Sequence, residues 1–291
     1  MNPGPNSGRT LRMEAAEAIA DARKTAGALI INADDWGRDA STTDAIFRCV
    51  RRGTVSSASA MVFMADSERA AVIAREHNVE VGLHLNLTTD FSAPGVPQRL
   101  VEQHRRISSY LRNNSVARVF YNPWLSRSFE YVVKAQIEEF TRMFGTLPTR
   151  IDGHHHAHLC SNVLVGGLLP RGVSVRRYFS YEQGQDVRNR LFRSLTDRLL
   201  AKRYRMTDFF FSLPPISSPD RLSRIFSLAS THVVEVETHP INPEECDFLM
   251  GEEILHWTKL CPIVQGYVGK CFQQGKVQLS AIPKPGTGTK S

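Results

Sequence analysis

Ala28-Leu29-Ile30-Ile31-Asn32-Ala33-Asp34-Asp35-Trp36-Gly37 begins as an apolar run and ends on two adjacent carboxylates. The run reads as a strand, with Asp34 and Asp35 at its C-terminal end. Beyond it, Ser41 stands where a cap would start a helix through Ile46, Phe47 and Val50, which Gly53 would close. A second strand is expected within 55–63, a helix over 66–76, and a third strand over 79–87 that carries His84. Strand and helix in strict alternation indicate an α/β fold built on a parallel sheet.

Downstream, 94–124 breaks the rhythm with Pro, Gly, Asn and Arg and reads as an insertion over one face, within outer bounds of 90–128. An amphipathic helix over 128–144, closed at Gly145, delivers the chain into Arg150-Ile151-Asp152-Gly153-His154-His155-His156-Ala157-His158. Further strands are expected over 172–178, 208–213 and 232–237, with helices over 186–203, 220–229 and 252–260. The last strand runs into Thr238-His239-Pro240. No repeat and no long linker divides the core, so 28–265 reads as one domain. Residues 1–27 read as a disordered tail with a leading helix over 11–24, and 266–291 as a C-terminal tail.

The chain has 291 residues, 42% of them hydrophobic, enough for a sizeable core. No apolar run approaches the ~20 residues that span a bilayer, so no transmembrane segment is expected. The N-terminal ten residues lack the apolar centre of a secretory signal. Cys49, Cys160, Cys246, Cys261 and Cys271 are odd in number and show no CxxC spacing, which argues for reduced thiols in a cytoplasmic protein. Net charge is +7 and the pI about 9.3. The Lys and Arg are scattered and no nucleic-acid-binding motif is present, so a solvated basic surface is the better reading and no nucleic-acid partner is expected.

The histidine stretch sets four imidazoles and a carboxylate within seven positions. If the strand continued, alternation would place Asp152, His154, His156 and His158 on one face and His155 on the other. Such a row supplies metal ligands and proton carriers. Asp34-Asp35, His84, this row and His239 each fall at the C-terminal end of an expected strand, where parallel α/β folds build their sites.

On Ile31-Asn32-Ala33-Asp34-Asp35-Trp36-Gly37, Gly82-Leu83-His84-Leu85-Asn86-Leu87-Thr88 and Asp152-Gly153-His154-His155-His156-Ala157-His158, the chain resembles the YdjC-like carbohydrate deacetylases. Weaker matches are Val175-Arg176, Thr207-Asp208-Phe209 and Glu237-Thr238-His239-Pro240. The family usually has Phe where this chain has Trp36. The 90–128 insertion and Arg177-Tyr178-Phe179 also depart from its pattern. The resemblance implies an irregular (β/α) barrel of the polysaccharide-deacetylase type, in a single domain, with one divalent ion held by Asp35, His84 and His154. It implies Mg²⁺, while the ligand types suit Zn²⁺.

The expected activity is hydrolysis of the acetamide of an N-acetylated sugar, giving acetate and the free amine. Asp34 would take the proton from water, and His239 would protonate the departing amine. Asp152, His156, His158 and Arg176 would touch the sugar or steady the ligands, with Arg176 reaching hydroxyls or a phosphate. Trp36, Trp124 or Tyr178 offer a ring for a pyranose face. An anionic carrier on the sugar is compatible with the basic surface, and an oligomer is allowed. Two other readings stay open: another metal-dependent hydrolase of phosphoesterase type, and a non-catalytic carbohydrate-binding protein derived from a deacetylase.

Overall fold

Seven parallel strands form one sheet in the order β5-β4-β3-β2-β1-β7-β6. They are β1 (Ala28–Trp36), β2 (Ser57–Ala60), β3 (Val81–Leu85), β4 (Arg150–Gly153), β5 (Ser174–Val175), β6 (Phe209–Ser212) and β7 (Val233–Thr238). The structure, a computed structural model, describes residues 27–113, 116–180, 193, 196–260 and 263. Each edge strand touches the chain flanking the other, through a bridge from Ser174 to Arg205 and a 2.8 Å hydrogen bond from Ser180 N to Phe210 O. The parallel sheet is the one the alternation indicates, and its curl into a half-barrel ringed by helices is the irregular (β/α) barrel that the family resemblance implies.

Every residue of β1 is buried, and the two faces of the sheet differ in chemistry. Val234 and Val236 of β7 belong to the apolar core together with Ile31, Ala33, Ile46, Phe129 and Phe226. Burying one such large side chain is worth ~1.5–3 kcal/mol. The alternate positions carry Asn32, Ser59, Asp152, Glu235 and Glu237, all buried. Ser57 Oγ donates to Asn32 Oδ1 at 2.7 Å, Asn32 Nδ2 to Ser59 Oγ at 2.7 Å, and Ser59 Oγ to Asp152 Oδ2 at 2.6 Å. The barrel interior is therefore a connected polar network, which is tolerated because its members satisfy one another.

The helices fall close to their expected places, at Ala40–Arg52, Ser67–Glu76, Ser126–Phe144, Pro219–Leu228 and Glu253–Leu260. Ser41 is not the cap of the first. Asp39 is extended and stands just outside the helix, where its side chain accepts from Thr42 N at 2.8 Å, whereas Ser41 already lies within the first turn. Gly53 closes this helix at φ 81° as expected. The insertion is ordered around a helix, Gln98–Asn113, whose Leu100, Ile107 and Leu111 are buried. The strand expected over 172–178 shrinks to two residues. A helix at Pro243–Met250 was not anticipated, although Asn242, Pro243 and Glu245 supply its start. The leading helix over 11–24, half of that over 186–203, and the tail 266–291 lie outside the described residues.

Candidate metal centre

Adjacent residues on a regular strand face opposite ways, so Asp34 and Asp35 should not share a site. A bulge resolves this. β1 pairs with β2 at Ala33–Ala58 and resumes at Trp36–Ala60, so the two aspartates oppose Ser59 alone. Asp35 takes φ 71°, a left-handed conformation that Asp tolerates better than most residues. Both carboxylates then approach His84 of β3: its Nε2 lies 3.3 Å from Asp35 Oδ1 and 3.9 Å from Asp34 Oδ2.

His154, the first residue after β4, places Nδ1 at 2.9 Å from the same Asp35 Oδ1. The donor atoms of Asp35, His84 and His154 all lie within 4.8 Å of one another. Asp35 Oδ1 is buried without a hydrogen bond, although two imidazole nitrogens face it. A buried carboxylate oxygen left in that condition is costly unless a cation completes it. One carboxylate and two imidazoles are a fitting donor set for a divalent ion. The ligand ring is also oriented from behind, since His84 Nδ1 donates to Asp152 Oδ1 at 2.7 Å and leaves Nε2 aimed at Asp35. Burial opposes ionisation of Asp35, but the imidazoles of His154 and His84 outweigh it and hold the carboxyl well below the usual range. Burial likewise disfavours protonated His84, yet Asp34, Asp152 and Asp35 carry its pKa up to about 10.

Asp34 is held differently. Arg176 NH1 and NH2 donate to its two oxygens at 2.6 and 2.8 Å, and Asn32 Nδ2 donates at 2.8 Å. The same guanidinium reaches Glu235 at 2.7 Å, and Glu237 and Asp152 at 3.2 Å each. Its face lies 4.9 Å from the Phe210 ring centroid. Against the cost of burial, Arg176 keeps Asp34 ionised below the ordinary carboxylate range. Burial and the charge of Asp34 push Glu237 the other way, well above its ordinary pKa. Arg150 donates to Asp152, to Ser59 Oγ at 2.9 Å and to Ala58 O at 2.7 Å.

Beyond Gly153 the alternation expected of the histidines fails. The chain turns through a short 3₁₀-type segment, His154–Leu159, in which His155 and His156 take φ 53° and 54°. The four rings therefore spread around the turn and do not form a row. His155 Nδ1 contacts Thr88 Oγ1 at 3.0 Å. His156 packs edge-on to Phe179 at 4.7 Å and sets Nε2 3.7 Å from Glu237. Burial lowers its pKa to about 3 and that of His158 to about 4.

Asp35, His84 and His154 are brought together as one cluster. Asp34 joins them at the mouth, and a donor atom of His239 lies within 4.8 Å of those of Asp34 and Glu237. His239 is half-buried, with its backbone N donating to Glu245 Oε2 at 2.8 Å. Asp152 stands behind His84 and His156 lines the mouth. The last two candidates lie in the barrel interior. Arg176 is fully buried, and carboxylates from three barrel strands take up its donors. His158 is fully buried with Nε2 on Arg176 O at 3.0 Å, the supporting position of the two expected for it. Trp36 is core, with its indole N–H on Ala70 O. The sequence reading passed over Glu235, Asn32, Ser59 and Arg150. Its signal was available in β7, where Glu235 and Glu237 alternate with Val234 and Val236.

A family model described as "YdjC-like protein" matches residues 28–257. A protein named chitooligosaccharide deacetylase from Serratia marcescens is 30% identical over 132 residues, 45% of this chain and 50% of that one. Its namesake from Yersinia pestis (strain Pestoides F) is 30% identical over 136 residues, 46% and 52% of the two. The chain thus spans about half the length of these curated relatives. Among solved structures, a candidate cellobiose-phosphate cleavage protein from Enterococcus faecalis V583 superposes with a TM-score of 0.58 at 19% identity. That match covers 82% of this chain and 97% of the other, and it supports the barrel.

Proposed function

The chain belongs to the YdjC-like protein family, and from that premise we propose that it hydrolyses the acetamide of an N-acetylated sugar, releasing acetate and the free amine. The observation that carries this reading is the division of labour between neighbours. Asp35 turns to His84 and His154, while Asp34 is pinned, ionised, beside them.

Asp35, His84 and His154 would hold one divalent ion, Mg²⁺ by family likeness or Zn²⁺ by ligand type. Such an ion supplies Lewis acidity toward the amide oxygen and acidifies a water. Asp34 accepts the proton of the attacking water, since Arg176 and Asn32 fix its oxygens and keep it charged. His239, across the mouth at the end of β7, donates a proton to the amine as the C–N bond breaks. Asp152 holds His84 in the tautomer that presents Nε2. His156 and Phe179 bound the space beside Glu237.

The substrate is proposed as an N-acetylated saccharide, in keeping with the names of the two relatives, and an anionic carrier remains part of the reading. A cytoplasmic setting is proposed on the odd number of cysteines. Among the described residues no helix is long and apolar enough to cross a membrane. The test is acetate release from a panel of N-acetylated sugars by chelated protein with single metals added back. Release that requires a metal supports the proposal. A protein that binds metal and releases no acetate from any of them would contradict it.

A further inference from the structure

From Gln103 to Phe129 the sequence holds five arginines, Arg105, Arg106, Arg112, Arg118 and Arg127, and no Asp or Glu. None of the five is ion-paired among the described residues. Within the same stretch lie Val116, Val119, Phe120, Tyr121 and Trp124, exposed by 47%, 45%, 63%, 41% and 85%. Val165 adds a further 69% exposed side chain one turn beyond Ser161. These six are more than half of the large exposed apolar residues in the described chain. Scattered apolar residues are ordinary on a surface, but so many on one ordered segment, beside arginines that outnumber the flanking Glu102 and Glu130, mark an interaction face.

The patch is presented rigidly. Asn122 Oδ1 accepts from Trp124 N at 3.1 Å, and Ser126 Oγ donates to Pro123 O at 2.8 Å, so the 3₁₀ turn Pro123–Leu125 holds the indole outward. Leu125 and Phe129 anchor it from below in the core. The strap is also tied to the catalytic mouth. Ser161 N donates to Arg118 O at 2.9 Å, and Asn162 exchanges 3.0 and 2.8 Å hydrogen bonds with the backbone of Asn122. Ser161–Val165 follows directly on the histidine turn that carries His154.

We propose that residues 116–124 and the helix Ser161–Val165 form a docking surface for an anionic lipid bilayer, which seats the mouth of the site at the membrane plane. Trp, Tyr and Phe favour the headgroup boundary, where a polar edge and an apolar body are both accommodated. Exposed Val116, Val119 and Val165 have acyl chains to enter, whereas a nucleic acid would offer these aliphatic side chains little. The arginines meet the negative headgroups, each worth about a fivefold gain in partitioning near a charged surface. No spanning helix is needed, and none is present among the described residues.

The test is co-sedimentation of the full chain with vesicles of phosphatidylcholine alone and of phosphatidylcholine with phosphatidylglycerol. Binding is expected to the second at low salt, with a blue shift of Trp124 emission, and to weaken as salt screens the headgroups. Arg118→Gln and Arg127→Gln should each weaken it about fivefold. Trp124→Ser combined with Phe120→Ser should weaken it roughly tenfold or more. All are surface changes, so an unaltered unfolding midpoint serves as the control for folding. Three results would overturn the proposal. One is binding to neither vesicle. Another is vesicle binding that the aromatic variant leaves intact. The third is a dimer broken by Trp124→Ser, or salt-sensitive RNA capture, without any vesicle binding. The vesicles carry no sugar, so the outcome is independent of the hydrolytic reading.

Discussion

Replacing Arg176 by Met keeps much of the side-chain volume and deletes the charge. It leaves Asp34, Asp152 and Glu235 facing a barrel interior without the guanidinium that reaches each of them. Removing one partner of a buried ion pair costs ~3–5 kcal/mol, a large part of the ~5–15 kcal/mol by which a domain is stable. For a barrel of this size each kcal/mol moves Tm by roughly 2–4 °C, so the ion-free variant should melt roughly 6–20 °C lower. The loss must depend on pH. Asp34 and Asp152 have depressed folded-state pKa values, so Arg176 contributes fully above the unfolded carboxylate pKa, about 4. That contribution fades as pH falls through the depressed values. Thermal unfolding of wild type and Arg176→Met should therefore show the gap widest near neutrality and narrowing in acid. Arg176→Lys should fall between them, keeping a charge but not the fork on Asp34. A Tm change of a degree or so, or one equal at every pH, would refute the view of Arg176 as the interior counter-ion.

His84→Ala or His154→Ala should abolish tight binding of one divalent ion per chain, read by elemental analysis, while the barrel still melts cooperatively. Because ion-free His84 holds its proton up to about 10, ion binding at neutral pH should release about one proton and tighten about tenfold per pH unit. Titration calorimetry in buffers of different ionisation enthalpy measures it. His239→Ala should cut amide hydrolysis by roughly 10²–10⁴-fold and an activated ester far less, since only the amine needs a proton to leave. Gly82→Ala would put a Cβ 2.8 Å from Arg150 Cζ, and the overpacking should cost ~1–3 kcal/mol in chemical denaturation.

Much of the fold could be read from the chain because the apolar runs and the helix stops are local. Ala28–Ile31, Val233–Val236 and Gly53 act through their own neighbours and needed no tertiary knowledge. The positions of Asp35, His84 and His154 were legible for the same reason, each standing at the end of a strand. What could not be read depends on backbone irregularity and on chain crossings. The bulge that turns Asp34 and Asp35 to one side follows from pairing with β2. The left-handed turn at His155 and His156 breaks an alternation that the sequence alone suggests. Arg176 looked like a substrate ligand because its partners, Asp34, Asp152 and Glu235, lie 142, 24 and 59 positions away along the chain. Trp124 could have been core or surface from its type alone, and its exposure depends on the turn that carries it.

The separation of roles between Asp34 and Asp35 is the core of the account, and one paired measurement tests it. Asp34→Asn and Asp35→Asn are each assayed for bound metal and for acetate released from an N-acetylated sugar on the same preparation. The account predicts that Asp34→Asn keeps a full equivalent of metal and loses roughly 10²-fold or more in turnover, the worth of a positioned base. Asp35→Asn should lose the metal, and its activity with it. Variants alike in both metal content and turnover would contradict the account.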